Sequence, residues 1–446
     1  MNQIRINRRQ AIAGIGATAL ASTIRPVWAQ SVAPITIVIN QSPWFDSFSK
    51  TVQAYEAETG NKVELDVNPF AGSLEKQRNS VRAAAGTYDI LIMNSGWFAE
   101  MYFGGFVTAI SDIDPGFQLD PDLFTLANSI YFDPASKTMA PSGKLMSMPI
   151  QPNLPMLYYR GDLYKEKGLK VVETFDDLFN NAKALNSPPD VYGIVQRGAR
   201  GAYTVSYDFF PYLFGMGGGI YKDPVAGDYS LTLNNDVGRE ALDYYIRLAK
   251  DAGHPKTAAM DQAEVIQALV TGHAAHASVV IAAWSQMDDP EKSIVVDKME
   301  FAPTPHAPGL PPGPALGHWL GGISHNVPDE RKRAAVEFFR WFQRPEAQMV
   351  NAKAGGIPLN AAVYNDPMTE ERQFRWMKPL AAALPHAVNP FAFPEASEVI
   401  SVLELGLNRS IAGEISSVDA LNSMSDEIEA IMAKHAYKTG KGAPLG

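Results

Sequence analysis

The chain of 446 residues has no cysteine at all. Disulfide staples are therefore excluded, and a chain of this length needs none, because its apolar cores are large enough. A lipid anchor that requires a cysteine directly after a cleaved leader is excluded as well. A second lack is any apolar run of about 18 residues, the length a membrane-spanning helix needs. The third is a surplus of positive charge: 38 Lys and Arg stand against 48 Asp and Glu, a formal net charge of −10. No basic patch of the kind that grips nucleic acid is visible, and the acidic balance disfavours anionic membranes. What remains is ordinary globular composition, 46% hydrophobic and 19% charged, long enough for two or three cores.

Residues 1–29 read as an export leader. Arg5, Arg8 and Arg9 give a basic start, Ala11 to Thr23 a short and weakly apolar run, and Val27-Trp28-Ala29 a small-residue cleavage site. The mature chain would begin near Gln30. Arg8-Arg9 followed by Gln10, Ala11 and Ile12 resembles a twin-arginine signal; an ordinary secretory signal with two chance arginines is the alternative. Removing the four arginines of this segment makes the remainder more acidic still. A free, soluble, monomeric protein of the bacterial periplasm is expected, without membrane insertion.

Beyond the leader, Ile35 to Asn40 reads as a strand. Phe48, Val52 and Tyr55 follow at helical spacing, and Gly60 stops that helix. Lys62 to Asn68 alternates as a second strand, Leu74 to Ala85 is a helix, and Tyr88 to Met93 (YDILIM) is a buried third strand. The β-α-β-α-β order implies a parallel sheet. A second α/β unit follows, with strands near Met156 to Tyr159 and Ala277 to Ala283 and a helix capped by Thr174 to Asp177. The chain crosses between the units more than once, which is the layout of a hinge. Lys438 to Gly446 is expected to fray.

Four of the seven tryptophans, Trp44, Trp97, Trp284 and Trp319, lie beside strand ends, where open α/β sheets bind ligands. Core packing explains any one of them. Each, however, has polar neighbours: Gln41 and Ser42, Asn94 and Ser95, Ser285 and Gln286, and His318. Flat rings mixed with side-chain amides suit a sugar or polyol. Rings stack on its C–H faces, and amides bond its hydroxyl rim, where each unpaired buried hydroxyl costs about 1–3 kcal/mol.

Tyr88-Asp89-Ile90-Leu91, the stretch GKLMSMPIQPNLPMLYYRGDLYKEKGL at 143–169, Thr174 to Leu178, Leu320 to Ser324, EFFRWFQRPEAQ at 337–348 and Gly355-Gly356-Ile357-Pro358 occur in an order that resembles extracellular solute-binding proteins of family 1. These are the maltodextrin-binding-protein-like receptors of ABC importers. The resemblance implies an α/β, type II-like periplasmic binding fold of two lobes, each a mainly parallel sheet flanked by helices. Residues 30–150 plus 321–356 would form the N-terminal lobe, and 151–320 plus 357–446 the C-terminal lobe. It further implies a ligand site drawn from Gln41, Ser42 and Trp44; Asn94 and Trp97; Gln151 and Asn153; Arg200, Tyr207 and Trp284; His318, Trp319 and Gly321; and Phe391. The partners implied are a small carbohydrate, polyol or glycoside and the permease subunits of an ABC transporter. Ser42, Asn94 and Asn153 stand where maltodextrin receptors carry carboxylates, which points away from maltose itself; Arg197 or Arg200 would serve an anionic glycoside.

Other chemistry is weakly signalled. Ser73-x-x-Lys76 and Lys438-Thr439-Gly440 match fragments of penicillin-recognising enzymes, but no S-D-N joins them. His273 and His276 lack a third metal ligand nearby. The Gly-rich GMGGG at 215–219 lacks the Lys-Ser/Thr of a phosphate loop. The rival enzyme class is a secreted glycosidase. It needs two carboxylates about 5–10 Å apart, and only Asp46, Glu100 and Asp208 lie near the strand ends, with no convincing pairing. No catalytic residue, metal or cofactor is expected.

Overall fold

A computed structural model describes residues 33–134, 139, 141–201, 203–224 and 226–446; the leader of residues 1–29 lies outside them. The chain opens with β1 (Ile35–Asn40), α1 (Phe45–Thr59), β2 (Val63–Asn68), α2 (Phe70–Arg82) and β3 (Ile90–Asn94). Gly60 ends α1 at φ +76°, its N–H donating to the Glu56 carbonyl. That left-handed geometry is nearly free of strain only for glycine. β1 pairs in parallel with both β2 and β3. Phe48 and Tyr55 of α1 meet Phe338 of the helix Asp329–Phe342 edge-on, at 6.4 and 5.1 Å between ring centroids.

The sheet is mixed rather than purely parallel. The strand Trp319–Ser324 runs antiparallel to β3 and to Ser147–Gln151. It enters the sheet on its way back from the second unit, so its direction is set by that return and not by a β-α-β step. Trp319 faces Asn94 on one side and Gln151 on the other.

The second unit centres on the strand Pro155–Arg160, flanked by His276–Val280 and Met299–Ala302. Both pairings are antiparallel, where a mainly parallel sheet is expected. Tyr192 and Ile194 supply only isolated parallel bridges, to Ala274 and Gly253. Helices Phe175–Leu185, Val205–Gly215, Asp236–Ala252, Ala396–Ile411 and Ser417–Lys434 surround it. Thr174 and Asp177 form a reciprocal capping box at the first of these. The C-terminal residues do not fray: Lys438 and Lys441 bridge to Asp228 and Leu231, and the Lys438 ammonium lies 2.7 Å from Asp228. Among the described residues no helix is long and apolar enough to cross a membrane.

The carboxyl ends of β1 and β3 therefore share an edge with the start of Trp319–Ser324. Ile281 donates to the Leu154 carbonyl at the corresponding edge of the second sheet. Those strand ends frame the site.

Candidate functional site

A cavity of about 330 Å³ opens where these edges meet. One wall comes from the first unit: Asn40 to Trp44 after β1, Phe70 after β2, Asn94 at the end of β3, and Trp319. The other comes from the second: Asn153, Arg197, Tyr203, Thr204, Tyr207, Gln262 and Val280. A larger hollow of about 540 Å³ lies elsewhere, lined by Asp176, Asp236, Arg239, Glu240, Asp243 and Arg247. There Arg239 pairs with Asp236 at 2.8 Å, and Arg247 stacks on Phe179 and Tyr244. It is a solvated groove on one unit.

On the first wall, Trp44 and Trp319 lie 5.6 Å apart between ring centroids, and Phe70 meets Trp319 edge-on at 5.8 Å. Trp97 backs this cluster, 4.6 Å from Phe70 and 5.5 Å from Trp319. Polar atoms accompany the rings. Ser42 Oγ, Trp44 Nε1 and Asn40 Oδ1 are buried without a hydrogen-bond partner. Asn94 spends its oxygen on its own turn, accepting from Ser95 Oγ and Gly96 N–H at 3.3 Å each.

The second wall is held from behind. Glu404 is 2% exposed and stands on the apolar face of the helix Ala396–Ile411. Its carboxylate accepts N–H bonds from Gly201, Thr204, Val205 and Ser206 at 2.8–3.2 Å, and the Ser206 hydroxyl at 2.6 Å. These are the open donors at the start of the helix Val205–Gly215, where a negative charge is favoured. Burial pushes the Glu404 carboxyl up, and the same hydrogen bonds pull it back. The staple fixes Tyr203 at φ +72°, an unfavourable conformation for a bulky residue. Tyr203 packs on Tyr207 and Phe391, at 5.0 and 5.2 Å.

Tyr207 is buried with its hydroxyl unpartnered. Burial raises its pKa, and the Arg197 charge lowers it in part. Gly317 permits this placement, since a Cβ there would come within 2.7–2.9 Å of the Tyr207 ring and hydroxyl. The Arg197 guanidinium lies over the Tyr207 ring at 5.2 Å. Behind it, Asp208 accepts from the Arg197 backbone N–H at 3.0 Å and the Tyr245 hydroxyl at 2.7 Å. Desolvation pushes the Asp208 carboxyl up, opposed by Arg197.

Of the residues singled out in the sequence, Gln41, Ser42, Trp44, Asn94, Asn153, Tyr207 and Trp319 line the cavity. Trp97 and Phe391 stand one layer behind it, the latter against Tyr203 and Phe210. Gln151 is buried in its strand opposite Trp319. Gly321 lies in the sheet, where a Cβ would press on Phe339 and Ile150 at 3.0–3.1 Å. His318 is fully buried, its Nε2 2.7 Å from Ser129 Oγ and its ring against Phe98; burial drives its pKa down to about 3. Trp284 stacks on Trp376 at 5.0 Å, away from the lining residues. Arg200 is exposed, and Arg197 takes the place in the wall.

Phe70, Asn40, Pro43, Thr204, Gln262, Val280 and Gly317 escaped the sequence reading. The strand-end rule, applied to β2 as it was to β1, reaches Phe70. Glu404 also left a trace, one acid on the face shared with Ile400, Leu403 and Leu407. His276, half of the suspected metal pair, is buried between Tyr164 Oη at 2.5 Å and the Gly193 carbonyl at 2.6 Å. His273 contacts Thr271 instead. Asp46 and Glu100 do not join Asp208: Asp46 is exposed on α1, and Glu100 is tied to Arg78 at 2.6 Å.

Comparison with known proteins gives a consistent pattern. Residues 40–349 match the model of the bacterial extracellular solute-binding protein family. A probable amino-acid ABC transporter periplasmic-binding protein of Sinorhizobium fredii is 21% identical over 447 aligned residues, covering 97% of this chain and 99% of the relative. An ABC transporter solute-binding protein of Agrobacterium radiobacter K84, solved in complex with ribitol, superposes with a TM-score of 0.76 at 22% identity, covering 90% of this chain and 99% of the other. The maltose-bound MalE3 of T. maritima gives 0.76 at 23% identity, covering 90% and 100%.

Proposed function

From membership of the bacterial extracellular solute-binding protein family, to which this chain belongs, we propose that the protein captures a small carbohydrate, polyol or glycoside between its lobes. It then delivers that ligand to the permease of an ABC importer. The observation that carries this reading is the chemistry of the cavity: Trp44, Phe70 and Trp319 face Tyr203 and Tyr207 across a space ringed by Gln41, Asn94, Asn153 and Gln262. Rings match the C–H faces of a hydroxylated molecule, and amides match its rim. About 330 Å³ suits a small ligand. Relatives of the same fold hold ribitol and maltose.

The lobes, 30–151 plus 319–356 and 152–318 plus 357–446 once the strands Ser147–Gln151 and Trp319–Ser324 are kept whole in the first sheet, close about their connecting segments when a ligand bridges both walls, because ligand contacts made in both favour the closed form. The protein works as a monomer in the periplasm, exported by the twin-arginine route through residues 1–29, and needs no catalytic group, metal or cofactor. An amino-acid ligand, suggested by the name of the Sinorhizobium relative, is disfavoured because among the described residues no Asp or Glu lines the cavity to receive an ammonium group.

A thermal-shift panel of sugars, polyols, glycosides and amino acids tests the reading. A ligand at a hundred times its dissociation constant adds about 2.7 kcal/mol of stability. Small-angle scattering should show a more compact particle with that ligand. Shifts from amino acids alone, or hydrolysis of a bound glycoside, would overturn the proposal.

A further inference from the structure

We propose that the ligand carries an anionic group, a carboxylate or phosphate on a hydroxylated skeleton, and that Arg197 receives it. This inference rests on the carbohydrate reading above and narrows it.

Among the described residues no Asp or Glu lines the cavity, and Arg197 is the one Lys or Arg that does. Arg197 is 3% exposed, and its Nε and Nη2 are buried without a hydrogen-bond partner among the described residues. Fully buried arginines are almost always paired, because an uncompensated buried charge is costly. The Tyr207 ring at 5.2 Å orients the guanidinium but leaves its planar donor fork free. Two acids stand behind this wall, and neither makes a close ion pair with the Arg197 side chain among the described residues. Glu404 is consumed by four backbone N–H groups and the Ser206 hydroxyl. Asp208 accepts from the Arg197 backbone N–H and the Tyr245 hydroxyl through one oxygen, and its charge acts on the Arg197 guanidinium through space rather than by a hydrogen bond. The side chain thus has the geometry for a two-pronged grip on a carboxylate or phosphate. Neutral Asn94, Asn153, Gln262 and Thr204 remain for the hydroxyls. Among the described lining residues a ligand anion meets a guanidinium, and a ligand cation meets no carboxylate.

The test is calorimetry on the mature protein with matched pairs, each an acid and its neutral parent: D-gluconate and sorbitol, D-glucuronate and D-glucose, and the 6-phosphates of sorbitol and glucose. We expect at least one acid or phosphate to bind about thirtyfold or more tighter than its parent. Carboxylate and phosphate members separate the two sources of charge. Arg197→Gln should remove that preference, weakening the acid about thirtyfold more than the parent; Arg197→Lys should keep part of it. Circular dichroism melting shows that each variant is folded, and the acid-to-parent ratio is read within one variant, so a general weakening does not mimic the effect. Equal affinity for acid and parent, with Arg197→Gln weakening both alike, overturns the anionic inference and leaves the carbohydrate reading standing. Binding of amino acids alone, or of no member of either panel, overturns both.

Discussion

The two walls of the cavity do the same job by different means. The first is made where strands stop. β1, β2 and β3 end at one edge of a sheet; Trp44 and Phe70 follow the first two within a few residues, and Asn94 is the last residue of the third. Its geometry is inherited from the core beneath, and its rings brace one another. The second hangs on a helix start. Arg197, Tyr203, Thr204 and Tyr207 occupy a segment whose N–H groups are gathered by a carboxylate about 200 residues away. A wall built on a sheet edge tolerates loss of one polar group. A wall gathered by one buried carboxylate does not.

The largest effect should therefore come from that carboxylate. Glu404→Ala strands four N–H groups, each costing about 1–3 kcal/mol if left unsatisfied, so a loss of about 3 kcal/mol or more is expected from urea unfolding. Asn94→Ala on the opposite wall should cost about 1 kcal/mol. Similar losses would remove the contrast between the walls.

A second effect compares the units through pH. His318, packed against Ser129 and Phe98 of the first unit, and His276 in the second have pKa values depressed by burial to about 3 and about 4. The unfolded chain takes up protons near pH 6.5, before either folded imidazole does. Stability is therefore full above that pH and falls as pH drops toward the folded values. Between pH 7 and pH 5 each histidine should remove about 2 kcal/mol. Urea titrations of His318→Gln and His276→Gln at both pH values should each show a shallower decline than the unaltered protein.

A smaller effect falls on binding alone. The Tyr207 hydroxyl has no partner among the described residues, so Tyr207→Phe should leave stability within about 1 kcal/mol while weakening the ligand three- to tenfold, about 1 kcal/mol. The smallest is Arg200→Ala. That side chain is exposed and outside the lining, so calorimetry should find affinity within about twofold and stability within about 0.5 kcal/mol. A marked loss there would place Arg200, rather than Arg197, at the ligand.

The contrast between the walls also explains what could be read beforehand. YDILIMNSGW announces a buried strand and its polar end, and Asn94 lines the cavity. Local period and strand ends carry that information. Trp97, three residues on, is turned behind the cluster, because the direction of a side chain after a strand depends on the turn. Arg197 and Arg200 are indistinguishable by spacing; only the path of the chain past Asp208 and Tyr245 buries one and exposes the other. Trp284 follows its strand as the other strand-end tryptophans do, yet its partner is Trp376, ninety-two positions away.

By itself, then, the order of residues determined which segments are strands and helices, that the first sheet starts parallel, and which kinds of side chain gather at strand ends. Those features follow from short-range sterics and from the alternation of apolar and polar residues. Tertiary structure alone decided which rings face the cavity, that the returning strand and the second sheet run antiparallel, and that Glu404 shapes a wall it does not line. Each of these depends on bringing distant parts of the chain together, and contacts of that kind leave no period to read.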